Sequence, residues 1–137
     1  MSFTRASLQS CRDEIAAQIR AYRDLVGAAS KASGMSLTRI DAALAAFEPA
    51  FFNNLLVALD ARFAGHANDA GPLAEVRLLS ASLTSNGGVL AASGDIPYDA
   101  DASLLRIDLG ERIALNADDF EALCAAFLAE LDSKATG

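Results

Sequence analysis

The chain has 137 residues, of which 53% are hydrophobic and 21% are charged, and this composition excludes a disordered protein and fits one globular domain. The formal net charge of −7 disfavours nucleic-acid phosphates and anionic lipid, so we predict no nucleic-acid partner and no membrane partner. The amino-terminal residues lack a signal-peptide pattern and charged residues interrupt the long apolar runs, so we expect a cytoplasmic protein.

The first predicted element is a long helix over residues 4–30. Its apolar residues recur at spacings of three and four, which is typical of a helix that packs at a shallow angle on a neighbour. They are Leu8, Cys11, Ile15, Ile19, Tyr22, Val26 and Ala29. Because this helix is longer than the other predicted helices, it is the candidate for contact with a second copy of the chain. The other interpretation, packing only within its own chain, stays open at this point.

Two central helices are predicted over residues 37–64, with a kink or a short break near Glu48 because Pro49 disfavours a helical conformation in the residue before it. The second of them is the most apolar segment of the chain, so we expect other helices to cover it. It nevertheless carries Asn53 and Asn54 beside its apolar stripe. Since a buried amide without partners costs about 1–3 kcal/mol, each of them faces solvent or forms specific hydrogen bonds.

A further helix is predicted over residues 72–86, because Pro72 suits a first helical position and the glycines after Asn86 suit a helix end. A strand within residues 73–83 is the alternative. It is the weaker interpretation because apolar and polar residues do not alternate strictly there.

Residues 103–115 are predicted to form a β-hairpin. If Ile107 lies opposite Ile113, the connection is a three-residue turn, whereas a two-residue turn would leave the apolar face mismatched. A C-terminal helix follows over residues 117–133, and Asn116 is its predicted N-cap.

These elements predict one domain over residues 1–137. Its fold class is mainly α, a compact bundle of four to five helices with one small β-hairpin before the C-terminal helix. Because an isolated hairpin is marginally stable in water, we expect it to lie on the helices.

The sequence offers little catalytic or metal-binding chemistry. Its single histidine, His66, lies in a predicted polar loop, where it is a poor start for a metal site. Cys11 and Cys124 fall in apolar helix stripes and are expected to be buried, free thiols. A calcium loop beginning at Asp99 is excluded because Leu104 stands where that loop needs glycine. Nucleotide-binding glycine motifs and a nucleophile elbow are absent, so we predict a non-enzymatic role with no catalytic residue, metal or cofactor.

One set of residues around the central helix remains as a candidate ligand-binding site. It comprises Phe52, Asn53, Asn54, Asp60, Arg62, Glu75 and Arg77. If the central helix and the helix over residues 72–86 pack antiparallel, the charged members lie near one end of the bundle. They then form surface ion pairs, or they line a small-molecule site in which aromatic rings enclose the ligand and an asparagine orients it.

Three stretches resemble a small family of bacterial proteins of unknown function. They are Phe47-Glu-Pro-Ala-Phe-Phe-Asn-Asn-Leu-Leu-Val-Ala-Leu-Asp60, Gly71-Pro-Leu-Ala-Glu-Val-Arg-Leu-Leu79 and Ile113-Ala-Leu-Asn-Ala-Asp-Asp-Phe-Glu-Ala-Leu-Cys-Ala-Ala-Phe-Leu-Ala-Glu130. The resemblance covers roughly the last two thirds of the chain and omits the first helix. It implies a helix over residues 73–83, and it implies no activity and no functional residue.

Two functions of different classes fit these observations. The first is a non-enzymatic cytoplasmic interaction or assembly protein that self-associates through the helix over residues 4–30, so that its partner is a second copy or another protein. The alternative is a small-molecule-binding protein, or an enzyme of unfamiliar chemistry, whose site lies at the central helix.

Overall fold

The computed structural model describes residues 4–31, 36–63 and 71–134. Within them the chain forms four helices: α1 (Arg5–Ser30), α2 (Ser36–Arg62), α3 (Pro72–Ser85) and α4 (Ala117–Ser133). The predicted mainly helical class is therefore confirmed. The predicted loop that contains His66 lies outside the described residues.

α1 runs antiparallel to α4. Arg23 near the end of α1 pairs with Asp118 at the start of α4 at 2.8 Å, whereas Arg5 pairs with Asp132 at 3.5 Å. Most of the apolar seam of α1 is buried within the chain, and its buried members are Leu8, Cys11, Ile19, Tyr22 and Ala29. One member near the end of the helix, Val26, is 37% exposed, although Ala29 after it is buried.

α2 is one continuous helix through Pro49, so no break occurs near Glu48 and the two predicted central helices are a single element. Proline lacks the N–H that would bond to the carbonyl oxygen of Ala45, and the helix loses that hydrogen bond. Contacts with other helices offset the loss. The Glu48 carboxylate accepts a hydrogen bond from the backbone N–H of Ala117 at 3.1 Å, and the aromatic rings of the next turn pack on α1.

The core lies among all four helices. Phe52 of α2 and Phe63, the residue after its end, pack on Phe120 and Phe127 of α4, with ring centroids 5.6 and 6.1 Å apart, so these two helices run in the same direction. α3 is buried around most of its circumference, and its buried apolar residues are Leu73, Ala74, Val76, Leu78 and Leu79. Ser80 and Ser82 are buried as well, so α3 is covered beyond its apolar stripe.

The segment between α3 and α4, residues 86–116, contains no strand, and the predicted β-hairpin is wrong. Its last part pairs instead with the residues that follow α3. The N–H of Ile113 donates to the carbonyl oxygen of Gly88 at 2.8 Å, and the N–H of Leu90 donates to that of Glu111 at 2.9 Å.

Two features prevent the predicted hairpin. Arg106 has a φ of 54°, in the left-handed region, which interrupts an extended strand. In addition, the carbonyl of Ile113 and the N–H of Leu115 are hydrogen-bonded to the side chain of Asn53, and the N–H of Ile113 is bonded to Gly88. A side chain from α2 thus replaces the strand that the sequence pattern predicts.

α4 begins at its predicted cap. The Asn116 side chain accepts a hydrogen bond from the backbone N–H of Asp119 at 2.7 Å. The N–H of Ala117 is bonded to Glu48, 69 residues earlier in the chain. Local sequence and a long-range contact therefore fix the start of this helix together.

Candidate functional site

Asn53 lies on the side of α2 that faces the segment before α4. Its Nδ2 group donates a hydrogen bond to the carbonyl oxygen of Ile113 at 3.0 Å, and its Oδ1 atom accepts one from the N–H of Leu115 at 3.2 Å. The amide thus binds this backbone as a neighbouring strand would. Because both ends of the amide are paired, Asn53 holds the backbone of residues 113–115 on α2.

Phe52 and Asn54 lie on different sides of α2. Phe52 is fully buried, and the centroid of its ring lies 5.0 Å from that of Tyr22 and 5.6 Å from that of Phe120. Asn54 is exposed. Three consecutive members of the candidate set therefore have three environments: the core, a buried backbone contact and the surface.

Asp60 and Arg62, the two charged candidate residues on α2, form ion pairs with different helices. Asp60 and Arg77 pair at 3.1 Å between α2 and α3, and their side chains are 16% and 26% exposed. Arg62 pairs with Glu14 of α1, and this hydrogen bond raises the pKa of the Arg62 guanidinium. Solvent screens the more exposed second pair, so the first contributes more to holding its helix in place.

Glu75 on α3 is a buried carboxylate, with 4% of its surface exposed. Its Oε1 atom accepts a hydrogen bond from the N–H of Leu104 at 2.8 Å, and its Oε2 atom accepts one from the N–H of Leu105 at 3.0 Å. A carboxylate removed from water requires such partners, because desolvation of its charge is unfavourable. Glu75 therefore holds the segment over residues 86–116, which we term the irregular segment, on α3, as Asn53 holds it on α2.

A cleft of about 260 Å³ opens beside Glu75. Its walls are formed by Gly71, Glu75, Pro97, Tyr98, Asp99, Ala102 and Ser103. The Tyr98 hydroxyl donates a hydrogen bond to the carbonyl oxygen of Ile107, and it lies 3.3 Å from the Ser103 hydroxyl. Burial raises the pKa of Tyr98, and nearby carboxylates including Glu75 raise it further. Its hydroxyl therefore stays neutral, and its hydrogen bond joins two parts of the segment over residues 86–116, at positions 98 and 107.

Cys11 and Cys124 are buried, free thiols. Burial raises the pKa of Cys11, and it raises the pKa of Cys124 to about 12. A thiol with such a pKa stays protonated at neutral pH and is a poor nucleophile and metal ligand. Among the described residues, no three His, Cys, Asp or Glu side chains form a group that could hold a metal ion.

α2 has other helices on three of its sides. α1 contacts it through Tyr22, α3 through Arg77, and α4 through Phe120. On the fourth side, residues recur at alternating spacings of three and four, the heptad spacing of a coiled coil. They are Ile40, Ala43, Phe47, Ala50, Asn54, Val57 and Ala61, which we term the outer seam.

The outer seam is apolar except for Asn54, and it is largely uncovered. Ile40 and Val57 are half-buried, and the other members are exposed. Phe47 is 45% exposed although its ring stacks on Phe51 and, with centroids 6.5 Å apart, on Tyr22 of α1. At 3.6 residues per turn, the seam lies about 180° around the helix from the buried core residues of α2. Apolar residues on two opposite faces are typical of a helix that is covered on both.

Among the described residues, one helical stretch, Arg39–Arg62, is long and apolar enough to cross a bilayer, although the sequence suggested none. Only 17% of its most apolar stretch is buried within the chain. Its Glu48 and Asn53 side chains bind α4 and the segment before it, which ties the helix into the bundle. Two further large apolar side chains are exposed at the end of α1, since Leu25 and Val26 are 51% and 37% exposed.

The outer seam is not among the features predicted from the sequence. Its signal is the heptad spacing between residues 40 and 61, on the face opposite the strongest apolar stripe. Three of its positions are alanines, which contribute little to an apolar periodicity. The roles of Glu48 and Tyr98 also escape prediction, because their partners lie far away in the chain or in an irregular segment.

Comparison of the chain with protein-family models, with characterised proteins and with solved structures finds no match. The resemblance to a small family of bacterial proteins therefore stays a prediction.

Proposed function

We propose that the protein is a non-enzymatic cytoplasmic interaction protein that self-associates through the uncovered apolar surface of α2. The observation that carries this proposal is the exposure of the outer seam. An apolar surface of this kind on an otherwise well-packed molecule is typical of a site that another protein covers. Removing it from water stabilises association by roughly 25 cal/mol for each Å² of apolar area.

This proposal moves the contact from α1, where the sequence suggested it, to α2. The seam of α1 is already used inside the chain, and its buried members include Leu8, Cys11 and Tyr22. At the end of α1, Leu25 and Val26 remain exposed. A deletion of α1 would remove part of the core, so single surface substitutions are the better test.

A non-catalytic role is supported by the way the polar candidates are used. Asn53 and Glu75 each bind two backbone groups, and Asp60 pairs with Arg77. Groups that satisfy one another in this way hold elements together, and they have little remaining capacity to act on a substrate.

The experiment compares two alanines of α2 that are both exposed but face different directions. Ala43 belongs to the outer seam, whereas Ala45 lies about 200° around the helix from it. Ala43→Glu places a charge in the proposed contact, so we expect the dissociation constant of the self-associated protein to rise at least tenfold. Ala45→Glu is the matched control and should leave it unchanged. Sedimentation equilibrium of the full chain measures both.

Two results would contradict the proposal. If the unsubstituted chain sediments as a monomer at every concentration, the protein does not self-associate. If both substitutions weaken association equally, the contact does not involve the outer seam.

The alternative, a small-molecule site at the central helix, has less support from the geometry. Phe52 is in the core and the amide of Asn53 is paired, so two of its expected contributors are committed elsewhere. The cleft beside Glu75 and Tyr98 has room for a small ligand, but it lies at α3. Native mass spectrometry of the protein as purified from cells distinguishes the two functions, since a defined extra mass would favour a ligand.

A further inference from the structure

We propose that the cleft beside Glu75 binds a small organic cation, an alkylammonium group whose charge lies against Glu75 and Asp99 and whose carbon atoms lie against Pro97 and Tyr98. All four residues line the cleft. This inference does not depend on the proposed self-association. The cleft is formed at α3 and the irregular segment, and none of its described lining residues belongs to the outer seam.

The cleft is small, and its walls are held in place. Its volume of about 260 Å³ is below the roughly 300–1,000 Å³ of sites that hold drug-sized ligands, so it suits a smaller molecule. The hydrogen bonds from the N–H groups of Leu104 and Leu105 to Glu75 fix one wall. The hydrogen bond from the Tyr98 hydroxyl to Ile107 fixes another. A site that is formed before its ligand arrives loses little conformational entropy on binding.

The charge of the lining residues selects a cation. The described lining residues include two carboxylates, Glu75 and Asp99, and no basic side chain. Within the described part of the chain, both carboxylates accept hydrogen bonds from backbone N–H groups, and neither has an ion-pair partner. Each Glu75 oxygen accepts one such bond and can accept a second. An ammonium group supplies three donors and a positive charge, so it matches these carboxylates.

The irregular segment around the cleft has an excess of negative charge. Its carboxylates are Asp95, Asp99, Asp101, Asp108 and Glu111, and its basic residues are Arg106 and Arg112. Burial raises the pKa of Tyr98, and the charges of Asp108 and Glu111 raise it further, so these carboxylates act at a wall of the cleft. An anionic ligand would therefore be repelled and a cationic ligand attracted.

The other lining residues favour an organic cation over a metal ion. An aromatic ring attracts a cation that lies within about 6 Å of its centre, and Tyr98 lines the cleft with a ring whose hydroxyl is already bonded. Pro97 and Ala102 add apolar surface for carbon atoms. Calcium and magnesium ions require about six or more oxygen ligands. Among the described residues, no three His, Cys, Asp or Glu side chains form a group that could hold a metal ion.

Titration of the isotope-labelled full chain, followed by NMR, tests the proposal. The probes are n-butylammonium chloride and n-butanol, which has the same carbon chain without the charge. Sodium chloride at equal concentration is the control for ionic strength. We expect butylammonium to shift the amide signals of residues 98–105, and we expect it to bind at least about tenfold more tightly than butanol.

Substitutions of two neighbouring aspartates test the contribution of charge. Asp99→Asn removes a carboxylate of the cleft but keeps the Oδ1 atom that accepts the N–H of Asp101 at 3.0 Å. We expect it to raise the dissociation constant of butylammonium about threefold or more. Asp101→Asn, at an exposed aspartate that is not among the lining residues, is the matched control and should change it less than about twofold. Glu75→Gln removes the buried charge and should raise it about tenfold or more.

A further probe identifies the source of the amine, which is a free molecule or a lysine side chain of another protein. Nα-acetyl-lysine N-methylamide carries the same four-carbon amine on a peptide backbone. Affinity equal to that of butylammonium would assign the cleft to a lysine side chain. Binding that is about tenfold weaker or more would assign it to a free amine.

Other results would overturn the proposal. If neither butylammonium nor butanol shifts the amides of residues 98–105, or if both bind equally, the cleft does not select a cation. If calcium chloride shifts these amides and butylammonium does not, the ligand is a metal ion. If Asp99→Asn and Asp101→Asn weaken binding equally, the net charge of the segment attracts the probe and the cleft does not. None of these results bears on self-association, which sedimentation measures separately.

Discussion

Asn53 and Asn54 are adjacent in the chain but differ in what they contribute to stability. Asn53→Ala leaves the carbonyl of Ile113 and the N–H of Leu115 without their partner, so we expect the free energy of unfolding to fall by about 1–3 kcal/mol. Asn54→Ala removes an exposed side chain and should change it by less than about 0.5 kcal/mol. Denaturant unfolding at concentrations where the chain is monomeric measures both.

Equal effects of the two substitutions would contradict this assignment of roles. A large effect of Asn54→Ala that appears only at high protein concentration would instead support the contact between copies, because association adds to apparent stability by mass action.

At the level of secondary-structure elements, the irregular segment over residues 86–116 depends on side chains from the helices. Glu75→Gln keeps the shape of the side chain but leaves one acceptor oxygen where two backbone N–H groups now bind. We expect hydrogen exchange at the amides of Leu104 and Leu105 to become about tenfold faster or more. Glu121→Gln, at an exposed glutamate of α4, is the control and should leave these amides unchanged.

If exchange at Leu104 and Leu105 is the same in both variants, Glu75 does not hold the segment. If exchange rises throughout the chain, the substitution lowers global stability rather than releasing one element.

The distance in the chain between contacting residues explains which elements could be predicted from the sequence. The start of α4 is encoded locally, because Asn116 and Asp119 are three residues apart. The hairpin and the break near Glu48 fail because the deciding contacts are distant: Asn53 binds Ile113, 60 residues away. A pattern read over a short window contains propensities but no such partners.

The same distinction between local and distant contacts explains how much of the candidate site could be predicted from the sequence. The sequence proposed that the asparagines of α2 either face solvent or form specific hydrogen bonds, and the structure assigns one outcome to each. The binding partners of Glu75 could not be predicted from the sequence, because nothing near that residue in the chain indicates which backbone groups it binds. Pairing of Asp60 with Arg77 follows from the expected contact between α2 and α3, whereas Arg62 pairs with α1.

At the scale of the whole molecule, the net charge of −7 opposes the association of two copies. The outer seam itself is uncharged, so no attraction between ions compensates for this repulsion. Salt screens the repulsion, and the Debye length falls from about 10 Å at 0.1 M to about 3 Å at 1 M ionic strength. We therefore expect the dissociation constant of the dimer to decrease as sodium chloride increases, measured by sedimentation equilibrium across that range.

An increase of the dissociation constant with salt would mean that ion pairs hold the copies together. The contact would then lie away from the outer seam, and the exposed ion pairs of α1 with α4 would be the first place to look.

The side chains that bind the irregular segment and the start of α4 also have a consequence for the order of folding. Glu48, Asn53 and Glu75 join groups that are 69, 60 and 29 residues apart. Closing such loops has an entropic cost that helices, whose contacts are local, do not have. We therefore expect these bonds to form after the transition state, so that Asn53→Ala accelerates unfolding and leaves the folding rate unchanged. The amide of Asn53 then determines how long the native state persists rather than how quickly it is reached, and stopped-flow kinetics of this variant would show it.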